Sequence, residues 1–138
     1  MIYLATPYSH EDPSIREERY LLAMDITQWF LKGFHTIFSP IVHCHPMACK
    51  YKLPKDHIFW LEHNKEWLEK ADEVWFAMFP GYSMSLGMRQ EFNCAARLQI
   101  RKRMVLPMRP DKWGEGKYII SNTLTRNFLD DPKIRGRI

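Results

Sequence analysis

The sequence predicts a small doubly wound α/β domain of the flavodoxin or Rossmann type, a parallel sheet of four to five strands with helices on both faces. Short apolar runs that end at Pro or Gly alternate with segments of helical period, a pattern typical of right-handed crossovers between parallel strands. The chain has 138 residues, and a hydrophobic share of 46% is enough to build one core. We therefore expect a single domain over residues 1–138.

The first predicted elements are a strand and a long amphipathic helix. Ile2–Ala5 is a short apolar run that stops at Thr6 and Pro7, which predicts a buried strand followed by a loop. Ser14–Glu17 fits a capping box, so we expect a helix to begin there and to end at Gly33. The apolar stripe of this helix consists of Ile15, Leu22, Ile26, Trp29 and Phe30.

The middle of the chain continues the alternation. Residues 35–39 predict a second strand, and a looser region without a clear period follows through Pro46 and Pro54. Helical period returns over residues 56–71, and the apolar run 73–79 predicts the third strand.

The remaining elements complete the predicted sheet. We expect a helix over residues 85–99 and a fourth strand over 104–107, closed by a proline. Residues 118–120 are interpreted as a fifth strand, and residues 123–129 as a short helix.

The positive charge is modest and lies in two segments. The net charge is +4 and the pI about 9.0, with the excess in residues 97–103 and 133–137. Such a surplus suits an anionic small molecule as well as it suits nucleic acid. Because the first segment is typical of a solvated helix end, we do not expect a nucleic acid partner.

The cysteine count and the hydropathy of the sequence predict the cellular compartment of the protein. Three cysteines form an odd number without framework spacing, which predicts free thiols in a reducing environment. No stretch approaches the roughly 18 apolar residues of a membrane span. We expect a cytoplasmic protein with no membrane partner.

Two loops of the predicted sheet carry polar groups at the edge where ligands bind. In an open parallel sheet this edge lies beyond the carboxyl ends of the strands. The loop after the first strand carries Thr6 and Tyr8, and the loop after the third carries Gly81 and Ser85 directly before a helix. A helix N-terminus offers free amides and a positive dipole end, so a phosphate could bind beside Ser85.

Glu91 is the candidate catalytic carboxylate. It shares a helix stripe with Gly87, Ala95 and Leu98, a face otherwise suited to packing, and the small Gly87 would let a ligand approach one turn away. The alternative from position alone is a surface glutamate that pairs with Arg89 or Lys102.

Asn64, on the preceding predicted helix, also has both a functional and a purely structural interpretation. It lies between Trp60, Leu61, Trp67 and Leu68 on the apolar side, toward the expected ligand edge. A buried amide requires hydrogen-bond partners. Asn64 is therefore either a satisfied core residue or a side chain that touches ligand.

The His and Cys residues near position 45 have the chemistry of zinc ligands but not the spacing. His43, Cys44 and His45 are followed by Cys49, without a second CxxC or HxxxH element. We interpret His43 and His45 as loop histidines that help to line the crevice, and we expect no metal and no cofactor. The aromatic residues Phe59, Trp60 and Trp67 are more typical of a core or a subunit interface than of a base-stacking platform.

Several short motifs, taken in order, resemble the nucleoside 2-deoxyribosyltransferase superfamily. Within it the likeness is closest to the 2'-deoxynucleoside 5'-monophosphate N-glycosidases and to a related phage and bacterial branch, and it spans residues 1 to about 110. The motifs are Tyr3–His10, Ser39–Pro46, Glu66–Asp72 before an apolar strand, Ser85-Leu86-Gly87 with Glu91, and Met108–Pro110.

The resemblance implies a reaction and a set of roles. Glu91 would attack C1' of the sugar, the base would depart, and water or a second base would resolve the glycosyl-enzyme intermediate. Tyr3, Thr6, Pro7 and Tyr8 would line the base and sugar pocket. The resemblance also implies a homodimer or larger assembly acting in nucleotide metabolism.

The resemblance further implies that the residue at position 85 distinguishes enzymes that act on free nucleosides from enzymes that act on nucleoside monophosphates. The transferases usually carry an aspartate there to hold a free 5'-hydroxyl, whereas the monophosphate hydrolases carry serine. Ser85 therefore favours a nucleotide substrate.

One position departs from the family pattern. Asn64 stands where these enzymes usually have an aspartate that manages the proton on the leaving base, and an amide has no titratable proton. Loss of a general acid or base costs about 10²–10⁴-fold in rate, so activity is still compatible with this change. We expect a nucleotide N-glycosidase, with a deoxyribosyltransferase or a catalytically impaired nucleotide-binding protein as the alternatives.

Overall fold

The computed structural model describes residues 1–54 and 56–122, which form a five-stranded sheet in the order β2-β1-β3-β4-β5. The neighbours among the first four strands pair in parallel, and β5 joins β4 in antiparallel orientation. The strands are β1 (Ile2–Ala5), β2 (Ile37–Phe38), β3 (Glu73–Ala77), β4 (Arg101–Pro107) and β5 (Tyr118–Ser121). The helices are α1 (Pro13–Lys32), α2 (Pro40–Tyr51), α3 (His57–Glu69) and α4 (Leu86–Arg97), with a short 3₁₀ turn at Tyr82–Met84.

The fold class predicted from the sequence is confirmed, because hydrophobic clusters pack on both faces of the sheet. On β3, Val74 and Phe76 face one cluster while Trp75 and Ala77 face the other, as strand alternation requires. The first cluster includes Leu68 of α3, and the second includes Ile26 and Phe30 of α1. The domain is therefore a Rossmann-like α/β sandwich with a single antiparallel edge strand among the described ones.

The start of α1 differs from the predicted capping box. Asp12 is the N-cap, and its Oδ1 accepts hydrogen bonds from the backbone N and Oγ of Ser14, both at 2.8 Å. Pro13 occupies the first turn, where its missing N–H costs nothing and its fixed φ suits the helix. Glu17 is consequently free to reach a side chain on α2. The predicted end at Gly33 is confirmed.

The prediction of an irregular region after the second strand is wrong, because residues 40–51 form the helix α2. Ser39 caps this helix, and its Oγ accepts a hydrogen bond from Val42 N at 3.2 Å. Pro46 lies inside the helix but faces solvent, so it removes one backbone hydrogen bond without displacing the buried side of α2. The helix ends at Lys52, which adopts the left-handed conformation with φ 53°.

Several smaller differences concern element ends. β2 is shorter than the predicted 35–39, β3 ends at Ala77, and β4 begins at Arg101 rather than at residue 104. The predicted helix over 123–129 and the basic segment 133–137 lie outside the described residues. Within the described ranges, no helix combines the length and apolarity needed to cross a membrane.

The cap of α2 generates a stability prediction. Ser39→Ala removes the acceptor of Val42 N at a buried position, so we expect the free energy of unfolding to fall by about 1–2 kcal/mol. Urea denaturation measures this change. The matched control is Thr36→Ala, whose side chain is exposed and whose effect should stay within about 0.5 kcal/mol. Equal effects of the two substitutions would contradict the capping role.

Candidate active site

A pocket lies beside the carboxyl end of β1, where the following loop meets the N-terminal parts of α2, α3 and α4. The pocket and its mouth hold about 490 Å³ free of protein atoms, within the range of roughly 300–1,000 Å³ typical of small-molecule sites. Its described lining consists of Tyr3, Thr6, Tyr8, Ser9, Pro40, Ile41, His57, Trp60, Leu61, Asn64, Ser85, Gly87 and Glu91. Seven of the residues predicted as site residues therefore come together here.

Glu91 lies buried in this pocket, on the face of α4 that packs against the sheet. Met88 and Ala95, one turn to either side, are fully buried, and Glu91 itself is only 9% exposed. In the described part of the chain Glu91 forms no ion pair with Arg89 or Lys102, so the alternative of a surface pair is not what the structure shows.

The electrostatics of Glu91 follow from this burial. Loss of water raises the pKa of its carboxyl from 4.5 to about 8, and a hydrogen bond from the Tyr3 hydroxyl acts in the opposite direction. Burial and the Glu91 carboxylate together raise the pKa of Tyr3 well above its ordinary value, which keeps the phenol protonated as a donor. A perturbed carboxyl in a concave pocket is the pattern expected of a functional group.

Asn64 faces the same pocket from α3. Its side chain is 6% exposed, and its Oδ1 lies 2.9 Å from Nδ1 of His63. The position therefore places an amide beside the pocket that contains the buried carboxylate. An amide can position a ligand or a carboxylate but cannot exchange a proton with either.

Thr6 supplies a polar group without a partner. Its side chain is 4% exposed, and among the described residues its Oγ1 is buried with no hydrogen bond. A buried hydroxyl of this kind is costly unless a ligand or a water molecule completes it. Pro7, its neighbour, is fully buried but does not line the pocket.

Ser85 and Gly87 form the N-terminal edge of the pocket. Ser85 is the N-cap of α4, where its Oγ accepts a hydrogen bond from Met88 N at 3.2 Å. The amides of Leu86 and Gly87 have no acceptor within the helix, because they belong to its first turn. A Cβ at Gly87 would stand 3.8 Å from Cβ of His57, so glycine leaves this narrow space open to a ligand.

The two predicted loop histidines lie elsewhere. His43 is exposed on α2, with its ring 5.7 Å from that of Phe38, and it does not reach the pocket. His45 is buried behind Tyr8 and lines a smaller adjoining cavity with Asn64. Over the residues that the structure describes, no group of three or more His, Cys, Asp or Glu side chains converges as metal ligands would.

Sequence reasoning missed the aromatic wall of the pocket. His57 and Trp60 line it from α3, and Trp60 Nε1 donates a hydrogen bond to Pro54 O at 2.8 Å. A usable signal was present, because positions 57, 60 and 64 share one face of a helix. Phe59 and Trp67, interpreted as core or interface, are 39% and 42% exposed.

The fold and the pocket define a Rossmann-like α/β domain with a buried carboxyl on the helix after its third strand. Comparison of the sequence with family models gives the family: the chain belongs to DUF1937, described as a domain of unknown function, whose model matches residues 1–106. That range contains every described lining residue of the pocket. No curated protein matches the chain.

The burial of Glu91 predicts how the free energy of unfolding depends on pH. Because the folded carboxyl has a raised pKa of about 8 against an ordinary value of 4.5, its neutral form favours the folded state. That contribution is complete below about pH 4.5 and is lost as the pH rises through about 8. Relative to Glu91→Gln, which cannot ionise, the wild-type free energy of unfolding should fall by a few kcal/mol across this window.

Urea denaturation of both proteins at about pH 5, 7 and 9 measures this difference. The comparison cancels the other titrating groups, which the two proteins share. A difference that stays constant across the range would show that water reaches the carboxyl in the folded protein.

Proposed function

We propose that this protein is an N-glycosidase that hydrolyses a nucleoside 5'-monophosphate through a covalent intermediate on Glu91. The observation that carries the proposal is the buried Glu91 carboxyl, hydrogen-bonded by Tyr3, in a pocket that it shares with Ser85 and Asn64. The resemblance of the same residues to the nucleoside 2-deoxyribosyltransferase superfamily supplies the reaction class.

The burial of Glu91 suits it to act as a nucleophile. Once ionised, a carboxylate with little water around it has less solvation to lose when it attacks the sugar. The developing positive charge on the sugar ring would stabilise the ionised form in the occupied pocket. The Tyr3 hydroxyl, which points at the same carboxylate, would orient the attacking oxygen.

In the proposed reaction, ionised Glu91 attacks C1' as the bond from C1' to the base nitrogen breaks. The electron pair of that bond leaves with the base, which takes up a proton. Water then attacks C1' and loses a proton as the bond from C1' to the Glu91 oxygen breaks, which releases the sugar phosphate and restores the carboxylate, as in retaining glycosidases.

The N-terminal edge of α4 suits the phosphate of the substrate. The first-turn amides and the dipole of a helix of this length favour an anion, and Ser85 adds a hydroxyl without adding negative charge. An aspartate at this position would repel a phosphate. This argument favours a nucleoside monophosphate over a free nucleoside.

The proposal predicts loss of base release in Glu91→Gln. Chromatography of a panel of deoxyribonucleoside and ribonucleoside monophosphates should detect free base with wild-type protein, and the variant should be slower by at least about 10³-fold. Because Glu91 must be ionised to attack, kcat/KM should rise with pH up to about 8. The matched control is Glu69→Gln, which alters an exposed glutamate on α3 and should leave the rate unchanged.

The panel also separates hydrolysis from base exchange. If a second nucleobase is added and a new nucleotide forms, the intermediate is resolved by a base and the protein is a transferase. If no base is released from any member, or if Glu91→Gln matches wild type, the proposal is overturned.

A second candidate function is nucleotide binding without turnover, and Asn64 is the observation that favours it. If the missing proton donor has abolished catalysis, calorimetry should show binding by wild-type protein without base release. Asn64→Asp should then make base release measurable, because the aspartate restores a group that can exchange a proton. Measurable turnover by wild-type protein would exclude this candidate.

A further inference from the structure

A chain of hydrogen-bonding side chains leads from the pocket to the protein surface. The Tyr8 hydroxyl lies 2.6 Å from Nδ1 of His45, and Nε2 of the same imidazole lies 2.7 Å from Oε2 of Glu17. Tyr8 lines the pocket, His45 is 5% exposed, and the Glu17 side chain is 54% exposed. The three groups therefore form a hydrogen-bonded chain from the lining of the pocket to a half-exposed carboxylate.

The fold assembles this chain from three elements. Tyr8 comes from the loop after β1, His45 from the buried side of α2, and Glu17 from the first turns of α1. Tyr20 of α1 stacks on the imidazole with ring centroids 4.4 Å apart, and Sγ of Cys49 lies 3.5 Å from Nε2. These contacts hold the imidazole ring in one orientation, with one nitrogen toward each partner.

The proposed reaction needs a group in the pocket that donates a proton to the departing base. The amide of Asn64 cannot supply that proton. The titratable groups among its described lining residues are Tyr3, Tyr8, His57 and Glu91. Glu91 is assigned to the attack and Tyr3 is engaged with it. Tyr8 is the remaining phenol, and burial raises its pKa to about 12, so it carries its proton at neutral pH.

We propose that Tyr8 donates the proton that the departing base requires, and that His45 and Glu17 act through Tyr8 by replacing that proton. This inference rests on the proposed N-glycosidase function. The Tyr8 O–H bond breaks as an N–H bond forms on the base, and the Nδ1–H bond of protonated His45 breaks as a new O–H bond forms on Tyr8. Tyr8 remains neutral, His45 becomes neutral, and Glu17 accepts a hydrogen bond from Nε2–H throughout.

The geometry allows this direction of transfer. With Glu17 accepting from Nε2–H, the other imidazole nitrogen faces the Tyr8 oxygen and can donate to it or accept from it. The groups that face His45 are Tyr8 from its loop, Glu17 and Tyr20 from α1, and Cys49 from its own helix. The proton that water loses when it attacks C1' can return to Nδ1 through the Tyr8 hydroxyl, while the Glu17 carboxylate stabilises the protonated imidazole.

Two substrates that differ in their need for a proton can distinguish a proton donor from a side chain that only supports the pocket. The base of 2'-deoxyguanosine 5'-monophosphate needs a proton to leave well, whereas the base of the N7-methylated nucleotide already carries a positive charge and leaves without one. Tyr8→Phe and His45→Gln should lower kcat/KM for the unmethylated nucleotide by about 10²-fold or more, and for the methylated nucleotide by less than about threefold. Glu91→Gln should abolish both reactions.

Two further variants complete the design. Glu17→Gln alters only the half-exposed end of the chain and keeps a hydrogen-bond acceptor, so it should fold normally and slow the unmethylated substrate alone, by about tenfold. Glu18→Gln makes the same change at the neighbouring exposed position of α1 and serves as the control, with rates close to wild type on both substrates. Near-UV circular dichroism verifies the fold of each variant.

Each other outcome overturns the proposal in a distinguishable way. Equal losses on both substrates in Tyr8→Phe and His45→Gln would mean that these side chains only support the pocket. A selective loss in His57→Gln, with Tyr8→Phe unaffected, would assign proton donation to His57. If wild-type protein cleaves only the methylated nucleotide, the relay fails while the function of Glu91 stands. If wild-type protein cleaves neither nucleotide, the relay is overturned together with the proposed function on these nucleotides.

Discussion

The burial of one carboxyl group under the Tyr3 hydroxyl is the constraint around which this domain is organised. Tyr3 belongs to β1 and Glu91 to α4, so their contact joins a central strand to a helix on the same face of the sheet. The contact lies at the edge of the hydrophobic cluster that contains Tyr3, Leu68 and Met88. A carboxyl in such surroundings costs free energy, and proteins usually retain such groups where chemistry uses them.

Much of this arrangement could be predicted from local patterns in the sequence. Short apolar runs and helical period located the sheet, and the stripe of Gly87, Glu91 and Ala95 placed Glu91 on a face suited to packing, where the structure buries it. The position of Asn64 on the apolar side of α3 was also evident. These features depend on residues that are close in sequence, which is why a periodic pattern can report them.

Other parts could not be predicted because they depend on contacts between distant residues or on exceptions to local rules. Pro46 indicated an irregular loop, yet α2 forms because Ser39 caps it and its opposite side is buried. The partners of His45 lie 28 and 37 positions away along the chain, so no local pattern could show that its imidazole joins Tyr8 to Glu17. The antiparallel direction of β5 likewise depends on the turn that follows β4 and not on the composition of the strand.

The antiparallel edge strand has a consequence for how related chains can differ. The described lining residues of the pocket run from Tyr3 to Glu91, whereas β5 lies on the far side of β4. The hairpin supplies Trp113 and Tyr118 as an aromatic cover over Phe79, with Tyr118 hydrogen-bonded to Asp25. Substitutions over residues 108–121 can therefore leave the described lining of the pocket unchanged, provided that the same apolar surface stays shielded.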